Sequence, residues 1–278
     1  MGRLDGKVAF ITGAARGQGR SHAVRLAQEG ADVIAVDALA DVASVGYPMA
    51  TAEDLAETVR LVEQADRRIV ARRVDVRDGA GLARALDEGV AELGRLDVVV
   101  ANAGVASFSP AEDMPDAMWD DMIDINLSGV FRTVRPAIRH LKANADGGSI
   151  VLIGSVGGLR GVMNIVHYSA AKFGLVGMTK VLAQELAPHR IRVNIVHPTN
   201  VSTSMIHNES LYRLFFPDRD PATVTPADTE PLMRATNLLP VGWVEPADIS
   251  EAVLYLVSDS GRYVTGIELP VDAGYSTR

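Results

Sequence analysis

Residues 7–19 read K-V-A-F-I-T-G-A-A-R-G-Q-G, and they decide the fold. Lys7–Thr12 is a short apolar run that stops at glycine, the pattern of a strand buried on both faces of a parallel sheet. Gly13, Gly17 and Gly19 follow. Ala23, Leu26 and Ala27 then recur at helical spacing within Ser21–Glu29. Strand, glycine turn and helix in that order form a phosphate-binding loop. Glycine lets the backbone turn tightly and approach a pyrophosphate, while the free N–H groups and the positive dipole end of the helix face it.

Gly30-Ala-Asp leads into a second strand, Val33–Val36, which ends at Asp37. A carboxylate at that point accepts hydrogen bonds from both ribose hydroxyls of an adenosine and repels a 2′-phosphate, which favours NAD over NADP. Arg16 pulls the other way, because a guanidinium can meet a 2′-phosphate, but the carboxylate makes NADP binding costly. Ala38–Ala50, containing Gly46-Tyr47-Pro48, is long for such a connection. It lies on the surface or covers the adenosine end. Thr51-Ala-Glu-Asp54 opens a helix with a cap and an acidic first turn.

Five further strands are predicted at Arg68–Val74, Leu96–Ala101, Gly148–Ser155, Ile191–His197 and Thr265–Val271. Asp75-Val76-Arg77-Asp78 follows the first of these. Asp78 caps the next helix, and Asp75 meets an adenine amino group or caps a turn. Leu96–Ala101 runs into Asn102-Ala103-Gly104, a polar and small end at the carboxyl edge, where open α/β sheets bind ligands. Pro115–Lys142 reads as one long helical stretch with an apolar stripe from Trp119 to Leu141. Asn126 inside it is disfavoured by helix propensity and requires a bonding partner. Tyr168–Ala187 is another long helix, in which Gly174 and Gly177 permit close packing. Strand and helix alternate throughout, which gives an α/β fold with a doubly wound parallel sheet in a single domain spanning residues 1–278. Thr199–Val244 breaks the alternation with repeated prolines and the cluster Leu211–Phe216. Such a region reads as a substrate lid at about 199–245.

Composition narrows the function classes. Of 278 residues, 47% are hydrophobic, enough for a large core, and the net charge is -8 with no basic run, so nucleic acid and anionic membranes are poor partners. There are no cysteines, which excludes disulfides, thiolate catalysis and Cys-based metal sites. The histidines show no ligand-like pairing with carboxylates, so no metal is predicted. No signal peptide, myristoylation signal or transmembrane run is read, and a soluble cytoplasmic protein is the expectation.

One short stretch carries chemistry. Val166–Phe173 reads V-H-Y-S-A-A-K-F and puts Tyr168 and Lys172 one helical turn apart on one face. An ammonium beside a phenol favours the phenolate, so the tyrosine pKa is expected to fall and the residue to exchange protons nearer neutral pH.

Thr12-Gly13-x-x-x-Gly17-x-Gly19, Asn102-Ala-Gly104, Asn126, Ser155 and Tyr168-x-x-x-Lys172 together resemble the short-chain dehydrogenase/reductase family over essentially the whole chain. The resemblance implies a Rossmann-type fold and hydride transfer between a nicotinamide and an alcohol or carbonyl. Within the family, the N-terminal stretch, the loop after Asp37 and A-N-A-G are similar to a mycofactocin-associated, carveol-dehydrogenase-like branch. That likeness implies tightly held NAD(H), re-oxidised in place by a peptide-derived redox partner. Carried onto this chain, Tyr168 is the general acid/base, Lys172 lowers its pKa and binds the nicotinamide ribose, Ser155 holds the substrate oxygen, and Asn126 holds a relay water. The cofactor set is Gly13, Arg16, Gln18, Gly17, Gly19, Asp37, Asp75, Val76, Asn102, Ala103, Gly104, Tyr168, Lys172, Pro198, Val201 and Thr203. Many members carry Pro-Gly where this chain has Pro198-Thr199, so the carboxamide contacts through Val201 N–H and the Thr203 hydroxyl rest on a changed backbone. Val156, Leu159, Met163 and Ile165 are expected to line the substrate pocket with the Met205–Phe216 region, which points to a hydrophobic secondary alcohol or its ketone. The family further implies a homotetramer. A freely exchanging NAD(P)H-dependent carbonyl reductase and a non-catalytic NAD-binding regulator are the alternatives. A regulator of this kind typically lacks the tyrosine or lysine present here.

Overall fold

A computed structural model describes residues 2–278. Strands β1 (Val8–Thr12), β2 (Asp32–Asp37), β3 (Ile69–Arg73), β4 (Val98–Ala101), β5 (Gly148–Ile153), β6 (Ile191–Pro198) and β7 (Glu268–Val271) form one sheet in the order β3-β2-β1-β4-β5-β6-β7. Every pairing is parallel. β1 is buried along its whole length, because helices cover both faces and leave no polar side. Phe10, Ile34, Val99, Ile150 and Leu152 pack on one face, against α3 (Gly79–Leu93), α5 (Gly129–Lys142) and α6 (Val166–Leu186). Ile11, Val33, Val100 and Val151 pack on the other, against α1 (Gly17–Gln28) and α9 (Pro246–Val257). Each such fully buried aliphatic side chain contributes roughly 1.5–3 kcal/mol.

The chain leaves β1 toward β2 and β3, then returns to place β4 on the other side of β1. Connections on either side of that point diverge, which opens a crevice at the carboxyl ends of β1 and β4. The glycine loop after β1 and the Asn102–Gly104 segment after β4 form its walls. No helix among the described residues is long and apolar enough to cross a membrane.

Two predicted elements are drawn differently. The Pro115–Lys142 stretch is divided into α4 (Asp116–Ile123) and α5 by a widened turn over Asp124–Ser128. There the Gly129 N–H donates to the Asp124 carbonyl, one residue further back than in a regular helix. The 199–245 region contains two helices, α7 (Glu209–Phe215) and α8 (Pro226–Arg234). Asn208 caps the first through the Leu211 N–H, and the second starts with Pro226 behind a Thr225–Asp228 capping box. Both are too short to display an apolar period, and capping chemistry is their clearest signal. α2 (Ala52–Gln64) has the predicted Thr51–Asp54 capping box, and Asp78 caps α3 through the Gly81 N–H.

Candidate active site

The glycine loop is held from behind. Thr58 on α2 donates its hydroxyl toward the carbonyls of Ala14 and Ala15, each 3.0 Å away, and Arg20 donates to the Ala15 carbonyl. With its carbonyls occupied behind, the loop faces the cleft with the first turn of α1. That turn has no side-chain cap and no acidic residue, so its N–H groups and dipole are free for an anion. Gly13 and Gly17 have φ of +64° and +56°, where a side chain is strained. A Cβ on Gly19 would lie 1.9 Å from the Gly13 carbonyl oxygen, so only glycine lets the turn close. Gln18 lines the same cleft and its buried Oε1 lacks a hydrogen-bond partner among the described residues.

Asn102 ties the other wall to this loop. Its Nδ2 donates to Thr12 O at 2.9 Å and to Gly13 O at 3.2 Å, while Thr12 Oγ1 accepts from the N–H groups of Asn102 and Ala103. Asp37 Oδ2 accepts from Ala15 N–H at 3.0 Å. Burial raises its pKa, against the opposing pull of that hydrogen bond. Asp75 holds Arg77 by its N–H and its guanidinium, and Arg77 reaches on to Asp121. It therefore caps a turn and also lines the cleft. Val76 is buried and packs where a Cβ on Gly129 would be.

At the reaction end, α6 brings Tyr168 and Lys172 onto one face. Lys172 Nζ lies 5.6 Å from the Tyr168 ring centroid and donates to Ile153 O at 2.8 Å. Ser155 lies two residues past β5, still in extended backbone, and its Oγ accepts from Gly157 N–H at 3.1 Å. The expected fall in the Tyr168 pKa is not what this environment produces. Burial pushes the phenol up, and a hydrogen bond with Ser155 offsets only part of that. Burial also pushes Lys172 down, to about 8. Desolvation is the largest cause of both shifts.

Asn126 sits deep in the wall of the site. Its side chain is fully buried and clamps Val105, accepting from Val105 N–H and donating to Val105 O, each at 2.9 Å, with a further contact to Met122 Sδ. Both amide hydrogens are used, so the side chain's first task is to hold the wall after β4. The widened turn supplies the reason a mid-helix asparagine is tolerated. Thr199 has no positive φ, so the missing glycine causes no strain after Pro198. Val201 forms a bridge with Val244, and its own N–H has no hydrogen bond among the described residues. Thr203 sits against Gly17, 3.3 Å from where its Cβ would be. Val156 and Ile165 are buried beside the site, but Met163 is 86% exposed and lines nothing enclosed.

Tyr47 lies outside the predicted site set, yet it lines the cleft. The Ala38–Ala50 loop carries it across, where its hydroxyl accepts from Ala106 N–H at 3.2 Å. Burial pushes its pKa up to about 12. The loop's aromatic-proline pair Tyr47-Pro48 was the available signal.

These features find their match in known proteins. The short chain dehydrogenase family matches residues 7–212, and the chain belongs to that family of oxidoreductases. Its likeness runs to particular members. A (-)-trans-carveol dehydrogenase of Rhodococcus erythropolis is 53% identical over 275 residues, covering 99% of both chains. The crystal structure of carveol dehydrogenase from Mycobacterium avium in complex with NAD shares 54% identity, full coverage of both chains and a TM-score of 0.97. A short chain dehydrogenase from Mycobacterium paratuberculosis bound to NAD is 44% identical with a TM-score of 0.91. The expected Rossmann-type fold, family and carveol-dehydrogenase-like character hold.

Proposed function

We propose that the protein is an NAD-dependent dehydrogenase interconverting a hydrophobic secondary alcohol, carveol-like in character, and its ketone. The observation that carries this reading is the meeting of Ser155, Tyr168 and Lys172 beside the glycine-walled cleft. The cleft fits NAD: the uncapped turn over Gly17, Gln18 and Gly19 takes the pyrophosphate, Asp37 the adenosine ribose, and Asp75 and Val76 the adenine edge. Arg16 lines the same cleft and donates to the Pro48 carbonyl at 2.6 Å. Asn102, Ala103 and Gly104 border the nicotinamide half, with Val201 N–H and Thr203 Oγ1 for its carboxamide.

NAD in this cleft would supply the hydride chemistry. The protein's part is proton transfer and position. Tyr168 Oη takes the alcohol proton during oxidation and gives it back in reduction. Ser155 Oγ donates to the substrate oxygen and steadies the charge developing there. Lys172 holds the nicotinamide ribose, and its ammonium favours the phenolate against the burial that opposes it. Tyr168→Phe is expected to abolish turnover while NAD affinity, read by fluorescence titration, stays unchanged. Full activity in that variant would remove Tyr168 from the mechanism.

NAD(H) is held tightly and recycled by a mycofactocin-type peptide-derived partner in this reading. The fastened Ala38–Ala50 loop supports it, and the 199–245 segment acts as the substrate lid. The second reading, a freely exchanging carbonyl reductase, predicts that dialysis strips the nucleotide and that added NAD sustains repeated turnover. A homotetramer is part of the proposal. Trp119, Phe131, Phe173 and Val181 are 40%, 44%, 46% and 52% exposed on α4, α5 and α6, and an unpacked Gly177 leaves room on α6. Gel filtration at a monomer mass would refute it.

A further inference from the structure

The main chain of Ser155 is gripped by an imidazole from the adjacent strand. His197, near the end of β6, has no exposed surface. Its Nδ1 lies 2.8 Å from the Ser155 carbonyl oxygen and 3.3 Å from Ser155 N. The shorter contact sets the tautomer: Nδ1 carries the proton and donates to the carbonyl, leaving a lone pair on Nε2. Nε2 is buried without a partner, and a bare lone pair there is less costly than a bare N–H. Burial holds the His197 pKa below its ordinary value, so the ring stays neutral and this arrangement persists at neutral pH.

Gly154 makes room for the ring. A Cβ at that residue would lie 2.7 Å from His197 Nδ1 and 2.9 Å from its Cε1. The carbonyls on either side of Gly154 both have partners, and Ser155 O also accepts from the Gly158 N–H at 2.9 Å. Ile153 O receives the Lys172 ammonium and Ser155 O receives the imidazole. We propose that His197 is a positioning residue that fixes the end of β5 so that Ser155 Oγ meets the substrate oxygen. The proposal rests on the role given to Ser155 above.

The test is a double-mutant cycle in the full-length protein, with kcat, KM and the thermal midpoint measured for each variant. His197→Ala is expected to lower kcat about tenfold, the weight of one hydrogen bond acting in the transition state, with KM nearly unchanged. In a Ser155→Ala background the same substitution is expected to cost nothing further. His197→Asn, whose amide N–H falls near the position of Nδ1, restores most of the activity, whereas His197→Gln, whose amide falls near Nε2, does not. An equal loss in both backgrounds overturns the proposal, and so does wild-type kcat in His197→Ala. If the alanine variant fails to fold, the Asn and Gln variants decide, and equal activity in those two overturns it. Full activity in Ser155→Ala is a different failure, that of the catalytic reading itself.

Discussion

Lys172 carries a charge in a place that resists one. It is 4% exposed, and burial lowers its pKa from 10.5 to about 8. Near pH 7 it is still protonated in the folded chain, so folding without cofactor includes the cost of that buried charge. The sign follows from linkage. Between pH 8 and 10.5 the unfolded chain binds the proton and the folded chain does not, so the penalty shrinks as pH rises through that window. Lys172→Met is therefore expected to stabilise the cofactor-free protein at pH 7 by about 1–3 kcal/mol, with the gain fading toward pH 10, while turnover is lost. Urea unfolding at the two pH values measures this, and an unchanged or lowered midpoint at pH 7 would count against it. The pairing of Tyr168 with Lys172 was legible from their four-residue spacing. The direction of the phenol's shift was not, because spacing reports proximity and says nothing of how much water the fold removes. Asn126 shows the same division. Its oddity in a helix was visible, but its partner Val105 belongs to another element.

The Ala38–Ala50 loop is fastened at several points to elements remote in sequence. Pro48 O accepts from Arg16, Ser44 Oγ donates to Asp121 Oδ2 at 2.7 Å, and the Tyr47 hydroxyl accepts from Ala106 N–H. Gly46 faces Ser210 on α7, whose Oγ is 2.8 Å from where a Cβ would stand. The loop thus joins the cofactor cleft to the 199–245 segment. Removing Arg16 and the Tyr47 hydroxyl together frees two of these fastenings. Arg16→Ala with Tyr47→Phe is expected to speed NAD release at least tenfold, about 1.4 kcal/mol of lost hold, measured by displacement with excess competing nucleotide. An unaltered release rate would show that the loop does not retain the cofactor. Sequence alone left this loop as surface or cover, since its length is local information and Asp121, Ala106 and Ser210 are not.

Across the whole molecule, the sheet was legible because each strand is a short apolar run closed by glycine or a polar end. The two helices of 199–245 were not, because each spans barely two turns between prolines. The α1–α9 seam that backs the sheet contains a further titrating group. His22 Nδ1 is 2.8 Å from Ser250 Oγ, and burial lowers its pKa from 6.5 to about 3. A depressed histidine supports the fold fully above pH 6.5 and withdraws that support as pH falls toward 3. His22→Gln, which cannot titrate, is expected to flatten the loss between pH 7 and pH 5 by about 2 kcal/mol. Chemical denaturation at both pH values checks it, and parallel losses in the two proteins would exclude His22 as the cause.

The widened turn at Asp124–Ser128 fixes the length of its helix as well as its shape. The turn absorbs one extra residue locally, so deleting it would restore a regular turn and leave α4 and α5 nearly in register, whereas a deletion in a regular stretch of α4 or α5 would swing everything upstream by about 100° about the helix axis. What a deletion at the turn removes is the local geometry that aims Asn126 at Val105. Loss or gain of a residue is thus costly along this stretch, for one reason inside the turn and another outside it. Chains descended from this one are expected to vary in loop length elsewhere and to keep the count of residues between Asp116 and Lys142 unchanged.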